Sequence, residues 1–416
     1  MSMQDKTASE RVHIGFFGCR NAGKSSLVNA VTGQKLALVS DIKGTTTDPV
    51  KKTMELLPLG PVVIIDTPGF DDTGTLGEMR VKATVRILND VDIAILCVDV
   101  LVGLTPTDRE LIALFKKKKI AYIIAYNKAD LLKETKDESV LSVDESTRQN
   151  ADISVEEESA VIYVSASEGT NIYELKEKIG HLVKETENSK RLVGDLVSPG
   201  DVVILVTPID SAAPKGRLIL PQQLVIRDLL ESAALPFVVR ETELAQALDA
   251  LKQKPAMVIT DSQAFKVVSQ IVPKDIYLTS FSILMMRYKN GLEIPIRGAR
   301  HIEKLKDGDI VLISEGCTHH RQCGDIGTVK LPNWIRSYTQ KDLQFEFTSG
   351  NEFPEDLDKY AMVIHCGGCM LNAREMQYRF KCAEDQNVAI TNYGICISYI
   401  NGILDRTIEI FKGMSD

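Results

Sequence analysis

Residues 18–26, Gly-Cys-Arg-Asn-Ala-Gly-Lys-Ser-Ser, constrain what this chain can fold into more than any other stretch. They fit Gly-x-x-x-x-Gly-Lys-Ser. That spacing belongs between a strand and a helix, where main-chain N–H groups and the positive helix end surround phosphate oxygens. The flanks supply both elements. Residues 12–17 are a short apolar run suited to a buried strand, and Leu27, Val28 and Val31 recur with helical spacing after Lys24. In such a loop Gly18, Asn21, Ala22, Gly23 and Ser26 wrap the phosphates, Lys24 reaches the β and γ positions, and the Ser25 hydroxyl binds magnesium.

The chain has 416 residues, which allows about two to four domains of roughly 100–200 residues each. A net charge of -8 argues against nucleic acid held by a basic surface. The lysine run 116–119 reads as a solvated helix end. The first eleven residues are polar, and no run approaches the ~18 apolar residues of a membrane helix. The expected location is therefore the cytoplasm, with no membrane partner. Eight cysteines are not expected to form a disulfide framework there, and six of them lie between Cys317 and Cys396. Such clustering points to metal or redox chemistry.

Apolar runs at 12–17, 51–57, 62–65, 93–98, 120–126 and 161–164 alternate with helical patterns at 24–31, 81–88, 107–115 and 172–184. This is the rhythm of a parallel sheet covered on both faces. Residues 134–158 are acidic and weakly periodic, and read as exposed helix and loop. Residues 185–197 read as a linker, followed by the breaker Ser198-Pro199-Gly200. A second alternation then begins, with strands at 202–206, 237–239, 257–260 and 276–279 and helices at 222–234 and 243–251. Strands at 310–314 and 362–364 follow. The expected fold is α/β throughout: a P-loop nucleotide-binding domain over 1–184, a linker, a second α/β domain over 198–278 and a third over 279–416.

The strand-end loops of the first domain carry the rest of a guanine-nucleotide site in order. Asp66-Thr67-Pro68-Gly69 places the Asp66 carboxylate near magnesium and the Gly69 amide near the γ-phosphate. In Asn127-Lys128-Ala129-Asp130, the Asp130 carboxylate accepts from the N1 and N2 donors of guanine, which adenine lacks, so ATP would leave it unpaired. Ser165-Ala166-Ser167 offers an amide to the guanine O6. Gly44-Thr45-Thr46-Thr47-Asp48 can close over the nucleotide, with Thr46 as the second magnesium hydroxyl and Thr45 and Thr47 as neighbouring choices. Lys24, Thr46, Asp66 and Gly69 are thus the candidate catalytic set for GTP hydrolysis. Phe70 stands where many GTPases keep a water-orienting Gln, which predicts slow intrinsic turnover.

With Gly-Thr-Thr-x-Asp and Asn21 before Ala-Gly-Lys-Ser, residues 12–184 resemble the translation-factor-related GTPases of the Era and MnmE type. The resemblance implies a potassium ion bound by Asn21, adding positive charge beside the leaving phosphate oxygens.

The carboxyl-terminal third carries a second constellation. Cys317-Thr318-His319 is followed, after 45 residues, by His365-Cys366-Gly367-Gly368-Cys369. Both halves follow apolar strands, at the strand ends where open α/β sheets place their sites. Three cysteines with one or two histidines suit either zinc or a 4Fe-4S cluster. Cys97, Cys382 and Cys396 read as small apolar residues.

A GTPase domain joined to Cys-x-His and His-Cys-x-x-Cys resembles the HydF family, the maturation GTPases of di-iron hydrogenases. That resemblance implies a homodimer formed through the middle domain. It implies a 4Fe-4S cluster held by Cys317, Cys366 and Cys369, with His365 or His319 as a fourth ligand. The implied role is a scaffold and carrier that receives a transient di-iron subcluster from two radical-SAM maturases and delivers it to apo-hydrogenase. The alternative is a zinc-stabilised GTPase of ribosome assembly or tRNA modification.

Overall fold

The computed structural model describes residues 11–34, 50–57, 59–67, 86–133, 161–187, 191–209, 218–316, 326–350 and 352–412. The chain divides into two compact units, residues 1–189 and 190–416.

The first unit holds a six-stranded sheet in the order β2-β3-β1-β4-β5-β6. The strands are β1 (Val12–Phe17), β2 (Val50–Leu56), β3 (Gly60–Asp66), β4 (Ile93–Asp99), β5 (Ala121–Asn127) and β6 (Val161–Tyr163). All neighbours are parallel except β2, which runs antiparallel to β3. The period-two pattern divides each strand between two cores. Ile14, Phe16, Ile64, Ile95 and Cys97 pack under the helices Lys24–Thr32 and Ile172–Glu187, whereas Phe17, Val63, Ile65 and Leu96 pack with Leu111 and Phe115 of the helix Pro106–Lys117. Buried on both faces, these strands are nearly continuous apolar runs. β1 lies between β3 and β4, so successive connections leave it on opposite sides and open a crevice at its carboxyl end.

The helix Pro106–Lys117 shows why sequence fixes its start. Pro106 occupies the first turn, and Thr105 and Asp108 form a reciprocal capping box. Most strands and helices lie within one to three residues of their expected bounds. Residues 134–158, the Gly44–Asp48 motif, Gly69 and Phe70, and residues 81–85 of one expected helix lie outside the described residues.

The second unit contains two all-parallel four-stranded sheets, ordered β10-β9-β7-β8 and β12-β11-β13-β14. The first comprises β7 (Val202–Val206), β8 (Leu235–Val239), β9 (Met257–Thr260) and β10 (Tyr277–Ser280). The second comprises β11 (Ile310–Glu315), β12 (Gln344–Ser349), β13 (Met362–His365) and β14 (Ala389–Asn392). One apolar cluster joins them, with Ile204 and Val258 of the first packed in the same core as Leu312 and Val363 of the second. The helix Phe281–Lys289 is shared: Phe281, Leu284 and Met285 pack on the β7 side, while Ile283 and Met286 enter the joint core.

Two features concern the expected linker and the segment that follows the second domain. The helix Ile172–Glu187 runs into the expected linker, and Leu192 and Val193 within it are buried in the second unit's core. Two apolar side chains in a polar stretch are enough to dock it. The shared helix lies just after residue 278, and the two sheets around it belong to one compact unit.

Candidate nucleotide site and candidate metal centre

The crevice beside β1 gathers the phosphate loop and its partners. Gly23 has φ 86° at the start of the helix, and a Cβ there would run into Nδ2 of Asn127. Only glycine fits that close approach. Asn127, buried at the end of β5, donates from Nδ2 to the carbonyls of Ala22 (3.2 Å) and Gly23 (3.3 Å). Its Oδ1 accepts from the Ala166 amide at 3.1 Å. One side chain thus ties the phosphate loop to the Ser165-Ala166-Ser167 loop. Ser165 Oγ donates to Asp130 Oδ1 at 2.5 Å, orienting the carboxylate expected to read guanine. Lys128, with φ 65°, is ion-paired with Asp99 at 2.6 Å.

Lys24 and Asp66 form an ion pair across the crevice. Register places Asp66 opposite Phe16, and Thr67 Oγ1 donates to the Phe16 carbonyl at 2.7 Å, anchoring the strand end. The Lys24 ammonium and the Asp66 carboxylate thus meet where β3 ends beside the helix Lys24–Thr32, whose second residue is Ser25. The donor set suits a magnesium nucleotide. Asn21 is exposed with φ 66°, a left-handed conformation that asparagine tolerates.

The second constellation lies where β11 and β13 end side by side, Ser314 opposite His365. Cys366 Sγ accepts from the amides of Gly316 at 3.1 Å and Gly368 at 3.3 Å. Gly316 is the last described residue before Cys317, and its amide reaches the Cys366 sulfur. Gly368 has φ 61°, and a Cβ on it would run into Met376 Sδ. Burial pushes the Cys366 thiol up to about 11, against the two amides, and also raises Cys369. Two thiols on a glycine-curled loop, with amides aimed at sulfur, suit a metal or iron–sulfur centre. Among the described residues no three or more His, Cys, Asp or Glu converge as a metal site. Cys317, His319, His320 and Cys323 lie outside the described residues.

His365 is fully buried. Its Nδ1 lies 2.8 Å from the Cys366 carbonyl, which can only accept, so Nδ1 carries the proton. Nε2 then accepts from Arg379 Nη1 at 3.1 Å. Burial, reinforced by the Arg379 charge, lowers the imidazole to about 3. Both ring nitrogens are committed within the protein. Arg379, also fully buried, pairs with Glu375 at 2.8 Å and donates to the Gly350 carbonyl at 2.7 Å. Neither Arg379 nor the buried Lys289, which donates to this loop, stood out in the sequence. The one local signal for Arg379 was Glu375 four residues before it.

Comparison with known proteins adds family matches to this geometry. Residues 13–128 match the 50S ribosome-binding GTPase model. Residues 192–290 match the hydrogen maturase F dimerization domain and residues 293–410 its tetramerization domain, and these two span more than half of the chain. The chain belongs to the hydrogen maturase F family. It is a mixed α/β protein with a P-loop GTPase domain ahead of the maturase F dimerization and tetramerization domains. The tetramerization model covers the residues bearing Cys366 and Cys369.

The chain is also similar to curated GTPases. GTPase Der of Kosmotoga olearia is 33% identical over 184 residues, 43% of this chain and 40% of that protein. GTPase Era of Thermotoga maritima is 33% identical over 167 residues, 40% of this chain and 53% of that protein. tRNA modification GTPase MnmE of Nitrosospira multiformis is 29% identical over 181 residues, 43% of this chain and 37% of that protein. The chain spans about half or less of the length of these relatives. Among the described residues no helix is long and apolar enough to cross a membrane.

Proposed function

We propose that this maturase F chain hydrolyses GTP to GDP and phosphate in its first unit and carries an iron–sulfur centre in its second, serving the maturation of di-iron hydrogenase. The observation that supports this most strongly is the convergence of Gly316, next to Cys317, with the Cys366-to-Cys369 loop, amides directed at sulfur, in a chain with maturase F domains.

In the GTPase domain Gly18, Asn21, Ala22, Gly23, Lys24, Ser25 and Ser26 hold the phosphates, and Asn127, Lys128, Asp130, Ser165 and Ala166 hold guanine. Ser25 and Thr46, with Asp66 nearby, would hold magnesium, which neutralises phosphate charge when bound. The Gly69 amide meets the γ-phosphate. Asn21 would hold potassium. Equal hydrolysis rates in potassium and in sodium would rule that ion out as an activator.

In the second unit Cys317, Cys366 and Cys369 would hold a 4Fe-4S cluster, whose remaining iron position can take an exchangeable ligand. His365 supports Cys366 through its carbonyl, so His319 is the better candidate for that position. The substrate carried is a di-iron precursor, received from two radical-SAM maturases and passed to apo-hydrogenase. A homodimer is supported by the edge strand β8, where Leu235, Phe237 and Val238 are exposed beside an open parallel edge suited to a second copy. The cytoplasm is the compartment in which such thiols stay reduced. Boundaries near 1–184 for the GTPase domain, 198–278 for dimerisation and 279–416 for the cluster domain are part of this reading.

The test is activation of apo-hydrogenase by the anaerobically reconstituted, precursor-loaded chain. Cys366→Ala should abolish activation and keep GTP hydrolysis. Full activation by that variant would refute the carrier role. The alternative in ribosome assembly or tRNA modification rests on the GTPase domain alone, and the maturase F domains weigh against it.

A further inference from the structure

Lys289 is the last residue of the helix Phe281–Lys289 and is 3% exposed. It belongs to the dimerization-domain match, yet its ammonium donates into the cysteine loop of the next domain. Nζ lies 2.6 Å from the Gly368 carbonyl, 2.5 Å from that of Leu371 and 3.5 Å from that of Cys369. The Lys289 carbonyl accepts from Gln377 Nε2 at 3.1 Å, so the residue is held at both ends. Gly368 is held from two sides as well, its carbonyl on Lys289 and its amide on Cys366 Sγ.

The same helix meets this domain near its start, where Asn392 Nδ2 donates to the Ser282 carbonyl at 3.0 Å. Burying an ammonium is costly unless its hydrogens are met. Here main-chain carbonyls of the cysteine loop meet them. A 4Fe-4S cluster on three thiolates is an anion and gains one more negative charge on one-electron reduction, so a buried cation beside it favours the reduced form.

We propose that Lys289 is a positioning residue for the cluster: it fixes the Gly368-to-Leu371 turn that presents Cys366 and Cys369, and its charge sets the reduction potential of the centre they hold. The inference rests on the iron–sulfur reading above. It also places the cysteine loop under the control of a helix that lies within the dimerization-domain match.

The experiment uses the full chain, reconstituted anaerobically with iron and sulfide and titrated with dithionite as electron donor, with the reduced cluster followed by EPR. Lys289→Met removes charge and donors, Lys289→Gln removes the charge but keeps an amide donor, and Lys289→Arg keeps the charge. Met and Gln variants should shift the midpoint potential to more negative values, and the Arg variant should stay near wild type. Hydrogen exchange of residues 366–371 in the metal-free chain should rise in the Met variant. A Gln variant with the wild-type potential overturns the electrostatic role while leaving the cluster reading intact. A wild-type chain that takes up no 4Fe-4S cluster overturns both. If the Met variant does not fold, the Gln and Arg variants decide the matter.

Discussion

The nucleotide crevice and the cysteine loop both sit at the carboxyl ends of parallel strands, but they are built in opposite ways. In the crevice the ion-paired Lys24 and Asp66 stay partly exposed, with side-chain exposures of 10% and 20%. There one buried neutral side chain, Asn127, ties the loops together. Around the cysteine loop the charges are inside: Arg379 and Lys289 are buried and hold main chain and His365 from behind. A site that binds and releases a nucleotide keeps its charges within reach of water. A site that holds a resident centre can fix its loop with buried cations, whose loss is costly.

The largest effect expected from this contrast is at Lys24. Lys24→Ala should lower GTP hydrolysis by about 100- to 1,000-fold, the scale of losing a charge-stabilising donor, while iron content stays at the wild-type level. Loss of both would break the separation between the regions. Next is Arg379→Met, which breaks the buried pair with Glu375 and should destabilise the second unit by about 3–5 kcal/mol. In a thermal melt only that unit's transition should move. Movement of the first unit as well would mean the two do not unfold independently. Asn127→Ala leaves the Ala22 carbonyl and Ala166 amide without this partner and should weaken GTP affinity by about 10- to 100-fold, read by calorimetry, on the basis of about 1–3 kcal/mol per stranded buried group.

The smallest effect concerns acid. At Asp90 burial pushes the carboxyl up, but the hydrogen bond and charge of His13, with Lys51, outweigh it and hold the group below its ordinary 3.8. A lowered carboxyl contributes stability above its unfolded value and loses it as pH falls through the folded one. Asp90→Asn should therefore flatten the first unit's stability loss below about pH 3.8 and leave the second unit's acid response alone. An unchanged slope would remove Asp90 from the account.

The same contrast explains what could be read from the sequence. The candidate nucleotide site is legible because its residues come in contiguous motifs after apolar strands: Gly18 to Ser26, Asp66 at the end of β3, Asn127 to Asp130 at the end of β5. The bracing role of Asn127 was not legible, because it depends on loops 105 and 39 residues away. The thiols of the second site were legible from His365 to Cys369, but not their setting. Lys289 meets its carbonyls 79 and 82 residues along the chain, and a lysine ending an apolar helix looks like an ordinary solvated terminus. β12 and β14 were missed for another reason. β12, Gln-Phe-Glu-Phe-Thr-Ser, alternates polar and aromatic residues at a sheet edge, and β14 has four residues, two of them polar. The polar look of 185–197 likewise hid the docking of Leu192 and Val193.

In the proposed function the cysteine loop holds an iron–sulfur centre separable from the nucleotide site. The most direct measurement is metal analysis with EPR on the anaerobically reconstituted wild-type chain and Cys366→Ala, with GTP hydrolysis assayed on the same samples. The account predicts iron and a reduced 4Fe-4S signal in the wild type, loss of both in the variant, and equal hydrolysis in the two. Zinc without iron in the wild type, or a cluster signal untouched by Cys366→Ala, would contradict it.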